Sequence, residues 1–355
     1  MSWGGHMEIK LSNRIYYEII SNYNLHCIHC SDMLHGTSNK ISSDELLQFH
    51  ASMKKNGIRD SVVTGGEPTL HSDFEKIVVG LAQFGSVLVT SNATAINYNV
   101  IKKILSEHSN VTFQISFDGV SQSVFEEIRG AGVYRQVMGI INQLILDGLQ
   151  EQLGLSMTIM RQNMNEVGEM IDFARKNGIK YLHFPVLLPV GVARKKWNEI
   201  APSVEEQIEI ENDIIKHILL DEKSKTYISC NRIEQVMAHI KYEENADCLK
   251  DYTLKVTSNG DILPCPAASA NHVIGNINET NIEQEIIKRL CEKELSHCRK
   301  KLKILECNSC AVQKYCHGIF CANCNILSDI DEKYSKYSCE IVKSHFETAI
   351  EEIYG

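Results

Sequence analysis

Two stretches of this 355-residue chain carry side chains suited to metal and redox chemistry. The first is Ser21-Asn22-Tyr23-Asn24-Leu25-His26-Cys27-Ile28-His29-Cys30, which holds a Cys-x2-Cys pair. The second is the C-terminal third, where Cys307, Cys310, Cys316, Cys321, Cys324 and Cys339 follow Cys248 and Cys265. Thiolates are soft ligands that select zinc, copper(I) or iron–sulfur clusters. A lone Cys-x2-Cys also serves zinc knuckles and redox pairs. A third segment, Thr64-Gly65-Gly66-Glu67-Pro68, sets two glycines beside a carboxylate. Glycines let a ligand approach the backbone, and the carboxylate can pair with an ammonium. The plainer alternative is a turn at a strand end.

Composition narrows the classes. With 13 cysteines and no basic-then-apolar start, the chain does not read as a secreted disulfide scaffold. Clustered thiols in a reducing compartment bind metal or do redox work, so a cytoplasmic protein is expected. A net charge of -9 argues against non-specific nucleic-acid binding. No apolar run approaches the roughly 18–20 residues that span a bilayer, so no membrane partner is expected. Met1–His6 reads as a cloning remnant, with Met7 the expected native start.

The elements that must position these residues follow from periodicity. Strands are expected at Arg14–Ile20, Ser61–Thr64, Ser86–Thr90, Val111–Phe117, Leu153–Met160 and Tyr181–Leu187. Helices are expected between them at Ser43–Lys55, Asp73–Gln83, Asn97–Ser106, Tyr134–Asp147 and Glu166–Asn177. This alternation makes βαβ units and a parallel sheet. Six such units fit an open, partial (β/α)6 TIM-like barrel better than a closed eight-stranded one. The expected organisation is a lead-in over 1–13, the barrel over 14–200, a helical connector over 201–245, a small Cys-rich domain over 246–341 and a helix over 342–355. Within the Cys-rich part, Thr253–Val256 and Ile262–Leu263 flank Ser258-Asn259-Gly260-Asp261 as a hairpin.

Taken together, the first strand, Asn24-Leu25-x-Cys27-x2-Cys30 and Gly65-Gly66-Glu67-Pro68 resemble the radical SAM enzymes. Weaker similarities run through Ser91-Asn92-Ala93-Thr94, Ile115-Ser116-Phe117-Asp118-Gly119 and Arg129-Gly130-Ala131-Gly132-Val133-Tyr134. In that family Cys-x3-Cys-x2-Cys holds a [4Fe-4S] cluster through three thiolates. A fourth iron is left to the amino and carboxylate groups of S-adenosylmethionine. The resemblance assigns cofactor contacts to Gly65, Gly66, Glu67, Pro68, Asn92, Ser116, Asp118 and Arg129. Glu67 would meet the ammonium of the methionine moiety and Arg129 its carboxylate, against a plain surface salt bridge for the arginine.

One position departs from the family pattern. Tyr23 stands where the first cysteine belongs, and no other cysteine than Cys27 and Cys30 occurs before Cys230. Tyr23 could ligate iron as a phenolate, as tyrosine does in some haem proteins. A distant cysteine, His26 or His29 could substitute, or the cluster could be lost.

The C-terminal cysteines resemble the SPASM extension, which holds two auxiliary clusters. That resemblance assigns Cys248, Cys265 and Cys321 to the first, and Cys307, Cys310, Cys316 and Cys339 to the second. Cys324 is the substitute for Cys321, because the spacing there is one residue longer than usual. Cys230, Cys291 and Cys298 have no assigned role, although Cys230 could complete the first auxiliary site. Structural zinc is the alternative for this region.

The resemblance implies reductive cleavage of S-adenosylmethionine to a 5′-deoxyadenosyl radical and hydrogen abstraction from a peptide or protein. The product would be a crosslink or oxidation in a ribosomal precursor peptide. Implied partners are that substrate and a reducing protein such as a flavodoxin or ferredoxin. The barrel starts at once, so a leader-peptide-binding protein would be separate. The alternatives are a non-catalytic relative that binds a peptide or partner enzyme, motivated by Tyr23, and a sulfatase-maturing-type enzyme. Pro266 weighs against the last, since that branch has Asp after the cysteine matching Cys265.

Overall fold

The structure, a computed structural model, describes residues 10–30, 39–220, 225–234, 236, 251–268, 270–292, 309–311 and 332–354. Its centre is one sheet. In chain order the strands are β1 (Lys10–Glu18), β2 (Asp60–Thr64), β3 (Val87–Ser91), β4 (Val111–Ser116), β5 (Leu153–Ser156), β6 (Tyr181–Phe184), β7 (Tyr227–Cys230), β8 (Asp251–Val256), β9 (Asp261–Leu263) and β10 (Gly275–Asn276). Among the described residues they lie in the order β10-β9-β8-β1-β2-β3-β4-β5-β6-β7. Every neighbouring pair from β8 to β7 is parallel, and β9 and β10 are antiparallel.

The helices that cross between strands are α1 (Ser43–Met53), α2 (Phe74–Ala82), α3 (Tyr98–Glu107), α4 (Gln122–Arg129), α5 (Tyr134–Leu146) and α6 (Val167–Lys176). After β6 come α7 (Gly191–Ile200) and α8 (Val204–Leu220), then α9 (Ile282–Glu292) and α10 (Glu332–Tyr354). Local chemistry sets their ends. Ser42 caps α1 by accepting from Glu45 N, and Ser121 caps α4 by accepting from Val124 N. Gly178 takes the left-handed conformation, φ 65°, just past α6, where an L side chain would be strained.

Strand β2 buries Ser61, Val62 and Val63 in succession, as a parallel strand covered on both faces does. β3 and β4 alternate, with Val87, Val89, Val111, Phe113 and Ile115 turned into the core. The mixed α/β fold with its parallel sheet is thus of the partial TIM-barrel type.

Several boundaries differ from expectation for physical reasons. β1 stops at Glu18, and Ile20 only bridges Lys40. β5 stops at Ser156, because Asn163 takes over the backbone of residues 158 and 160. The C-terminal helix starts at Glu332, ten residues before the expected 342. The expected hairpin is present as β8 and β9, and β8 extends the barrel sheet by pairing with β1. Lys255 of β8 and Glu18 of β1 close that seam with a 2.8 Å ion pair.

Candidate active site

The Cys27–Cys30 loop is held from both sides at the ends of the central strands. Ile28 packs into a small apolar cluster with Ile128, Met160, Leu187, Ala193 and Ile200. Its backbone N–H donates to Ile128 O at 3.0 Å, and Val192 N donates to Cys30 O at 2.9 Å. A turn from Cys30 N to Cys27 O, 3.3 Å, brings the two thiols round to the same side. Helices α4 and α7 therefore fix the loop, and neither was anticipated from the sequence.

The glycine pair after β2 does a job the sequence left open. A Cβ on Gly65 would fall 2.4 Å from Ile20 O, and one on Gly66 would fall 2.0 Å from Asn22 O. The backbone that approaches so closely is that of Ile20 and Asn22 of the same chain. Gly66 N donates to Ile20 O and Glu67 N donates to Asn22 O, each at 2.8 Å. The glycines thus seat the segment leading into Cys27 against the end of β2, and the Tyr23 ring lies against Gly66.

Glu67 was expected to face an ammonium. In the fold its side chain is buried, and both oxygens are on protein donors. Oε1 accepts from Thr69 N (3.1 Å), Thr69 Oγ1 (2.5 Å) and Ser91 Oγ (2.7 Å), while Oε2 accepts from Asn92 N (2.8 Å). A buried carboxylate requires such partners. Glu67 therefore ties the end of β2 to the turn after β3. Pro68 opens the short 3-10 turn Pro68–Leu70 that supplies Thr69. The Asn92 side chain continues the tie, donating to Asn24 Oδ1 at 2.9 Å and accepting from Thr94 Oγ1 at 2.6 Å.

Arg129, expected against a ligand carboxylate, meets Asp118 instead. Asp118 Oδ2 accepts from Arg129 Nε and Nη2, both at 2.6 Å, and Oδ1 accepts from Thr158 N at 2.7 Å. Asn163 donates to Asp118 O at 2.9 Å, so the aspartate is fixed at main chain and side chain. The remaining guanidinium nitrogen, Nη1, points at Cys27 Sγ, 3.7 Å away. Burial pushes the Cys27 thiol up, and the Arg129 guanidinium opposes that shift. His29 Nε2 lies 3.6 Å from Asp118 Oδ2. Burial lowers the His29 pKa to about 4, against the pull of Asp118, so the imidazole is neutral at neutral pH. His29 Nδ1 is buried and has no hydrogen-bond partner.

These groups line one cavity of about 360 Å³ at the carboxyl ends of the strands, the face where parallel α/β sheets bind ligands. Tyr23, Cys27, Cys30, Gly65, Gly66, Glu67, Asn92, Ser116 and Arg129 all reach its wall. Asp118 stands behind Arg129 and is not in the wall. Hydroxyls from Thr64, Ser116 and Ser156 and the apolar Leu187 and Leu188 complete it. Sequence reasoning missed Ser91, Thr158 and Asn163, which position the site. Small polar residues near strand ends carry no signal of their own.

The cavity suits iron and sulfide. Cys27 and Cys30 both line it, and thiolates are soft donors that select such clusters. Among the described residues, no three His, Cys, Asp or Glu side chains converge on a single ion. Of the C-terminal candidates, Cys265, Cys310 and Cys339 are half-buried and in no disulfide. Cys248, Cys307, Cys316, Cys321, Cys324 and Cys298 lie outside the described residues. Cys230, left without a role, is buried at the end of β7, and burial pushes its thiol up. Among the described residues no helix is long and apolar enough to cross a membrane.

Residues 20–174 match the radical SAM superfamily, and residues 248–311 match SPASM, an iron–sulfur cluster-binding domain. A probable GTP 3′,8-cyclase of Sulfurisphaera tokodaii is 25% identical over 245 residues, 68% of this chain and 77% of that protein. The fold is similar to that of Streptococcus suis SuiB bound to the precursor peptide SuiA, with a TM-score of 0.71 at 16% identity over 92% of this chain and 74% of that one. It is also similar to that of anSMEcpe with bound AdoMet and Cp18Cys peptide, with a TM-score of 0.73 at 18% identity over 97% and 98%. The chain carries a radical SAM domain and a SPASM domain, and these imply [4Fe-4S] clusters and S-adenosylmethionine as cofactors.

Proposed function

We propose that this chain, with its radical SAM and SPASM domains, is an enzyme that abstracts hydrogen from a peptide and so installs a crosslink or an oxidation. Cys27 and Cys30 would hold the cluster to which S-adenosylmethionine binds. When bound, cluster and S-adenosylmethionine together supply one-electron reductive cleavage of the sulfonium. The chain supplies the rest. Arg129 directs an N–H at Cys27 Sγ, and Asp118 holds that arginine in place. Leu187 and Leu188 give the cavity an apolar side that would limit water at the reacting atoms. Cys265, Cys310 and Cys339 belong to the set that would hold auxiliary clusters. A reducing protein would deliver the electron, and a separate protein would present a leader peptide.

The observation that carries the peptide reading is the charge of the cavity wall. Among its described lining residues the one Lys or Arg is Arg129, and Asp118 already pairs with it. A nucleoside triphosphate needs several charge-assisted donors. The wall offers neutral hydroxyls instead, which suit an uncharged peptide segment. The relatives named as GTP cyclases favour a nucleotide substrate, and that is the second reading. Both share the first chemical step. Anaerobically reconstituted, reduced protein is expected to form 5′-deoxyadenosine from S-adenosylmethionine. Product no higher than in the Cys27→Ala/Cys30→Ala double variant would overturn the enzyme reading.

A further inference from the structure

We propose that Arg129 sets the reduction potential of the cluster held at Cys27 and Cys30, by donating an Nη1 hydrogen to the Cys27 sulfur while Asp118 balances its charge. The inference rests on the reading that these two cysteines hold an iron–sulfur cluster. Arg129 lines the cavity and is buried. A guanidinium is planar, so two nitrogens held on one edge fix where the third points. Asp118 Oδ2 takes Nε and Nη2, both at 2.6 Å. Nη1 is left facing the other way, 3.7 Å from Cys27 Sγ. Asp118 Oδ1 does not compete for it, because that oxygen accepts from Thr158 N at 2.7 Å.

The same short stretch of chain fixes both ends of the contact. Ile128, next to Arg129 at the end of α4, accepts at its carbonyl from Ile28 N at 3.0 Å, and Ile28 is next to Cys27. The Ile28 side chain packs against the buried cluster that contains Ile128. The cysteine loop and the arginine are thus held as one unit, and the donor needs no ligand to keep its place.

Hydrogen bonds to the sulfurs and net charge both set the potential of iron–sulfur clusters. Paired with Asp118, Arg129 brings an N–H to the sulfur with no net charge. On reduction the cluster takes one electron from an external chemical reductant, and the proton stays on Nη1. The added negative charge spreads onto the thiolate sulfur, where a charge-assisted N–H stabilises it. The pair therefore raises the potential and eases the reduction that must precede cleavage of S-adenosylmethionine.

The test is a potentiometric titration followed by EPR, on the whole chain reconstituted anaerobically without S-adenosylmethionine. The signal of this cluster is the one that Cys27→Ala/Cys30→Ala lacks. Arg129→Met/Asp118→Asn removes both charges together, and the N–H with them. It should lower the midpoint by about tenfold in the one-electron equilibrium, or about 59 mV. Arg129→Met alone also bares the carboxylate and should lower it further; the double variant covers the case in which that protein does not fold. In D2O, pulsed ENDOR of the wild type should show an exchangeable deuteron at the cluster that the double variant lacks. A double variant with the wild-type midpoint, or with the same deuteron coupling, overturns the inference. If 5′-deoxyadenosine forms while the two midpoints agree, the inference alone fails. If the wild type has no signal beyond that of Cys27→Ala/Cys30→Ala and forms no product, both readings fail.

Discussion

Arg129 and Asp118 form a buried ion pair in which two guanidinium nitrogens, Nε and Nη2, each lie 2.6 Å from the same carboxylate oxygen. The doubling leaves Nη1 for Cys27 Sγ and Asp118 Oδ1 for Thr158 N. One ion pair thus links the end of α4, the segment after β4, the segment after β5 and the cysteine loop.

Breaking that pair on one side strands a buried charge. Arg129→Gln is expected to cost about 3–5 kcal/mol of stability, with part recovered in the Arg129→Gln/Asp118→Asn double variant. Urea unfolding of the four proteins gives the cycle. A single-variant loss below about 0.5 kcal/mol, the scale of a surface change, would show that the pair does not hold the site.

Gly66 and Gly139 should respond in opposite directions to alanine. At Gly66 the new Cβ would meet Asn22 O at 2.0 Å, so backbone must move. A loss of more than about 2 kcal/mol is expected, in the range of overpacking. Gly139 lies inside α5 with nothing within 4 Å, and alanine there should add about 0.5–1 kcal/mol. Thermal unfolding of both variants checks the contrast.

A second buried cluster, distant in sequence from the first, ties the C-terminal helix to the barrel. Glu211 of α8 accepts from Gln207 Nε2 (2.5 Å) and from Arg232, and pairs with His345 Nε2 of α10 (2.5 Å). Burial alone would raise the Glu211 carboxyl, but Arg232 and His345 hold it below its usual value of 4.5. The unfolded chain therefore binds the proton first as the pH falls. The stabilisation is full above about 4.5 and is lost as the pH drops through the folded value. Glu211→Gln should flatten this acid limb and cost about 3–5 kcal/mol at neutral pH by leaving Arg232 buried without its counter-charge. Urea midpoints across the acid range test both. An unchanged limb would assign the acid sensitivity to other groups.

The cavity wall predicts weak nucleotide binding. GTP should bind no better than guanosine to the reconstituted protein, because Arg129 is engaged by Asp118. Equilibrium dialysis of the two ligands measures the difference. A preference for GTP above about tenfold, or about 1.4 kcal/mol, would favour the cyclase reading.

Much of the barrel was legible because its strands and helices keep their periods. Val111–Ser116 alternates cleanly, and Tyr134–Leu146 buries Val137, Ile141 and Leu144 at helical spacing. α4 was not legible: it has eight residues and buries only Phe125, Ile128 and Arg129. β7 is four residues long and depends on its neighbour β6 for pairing. At the site, the cysteine loop and the glycine pair stood out by residue type. The partners of Glu67 and Arg129 did not, since Ser91 is 24 positions from Glu67 and Asp118 is 11 from Arg129. Such closures are made by the fold, and residue type alone cannot announce them.

The central claim is that a loop with two cysteines holds a cluster. Iron and sulfide counted per chain, after anaerobic reconstitution of the wild type and of Cys27→Ala/Cys30→Ala, test it most directly. The wild type should hold about four more irons and four more sulfides than the double variant. Equal counts in the two proteins would contradict the account.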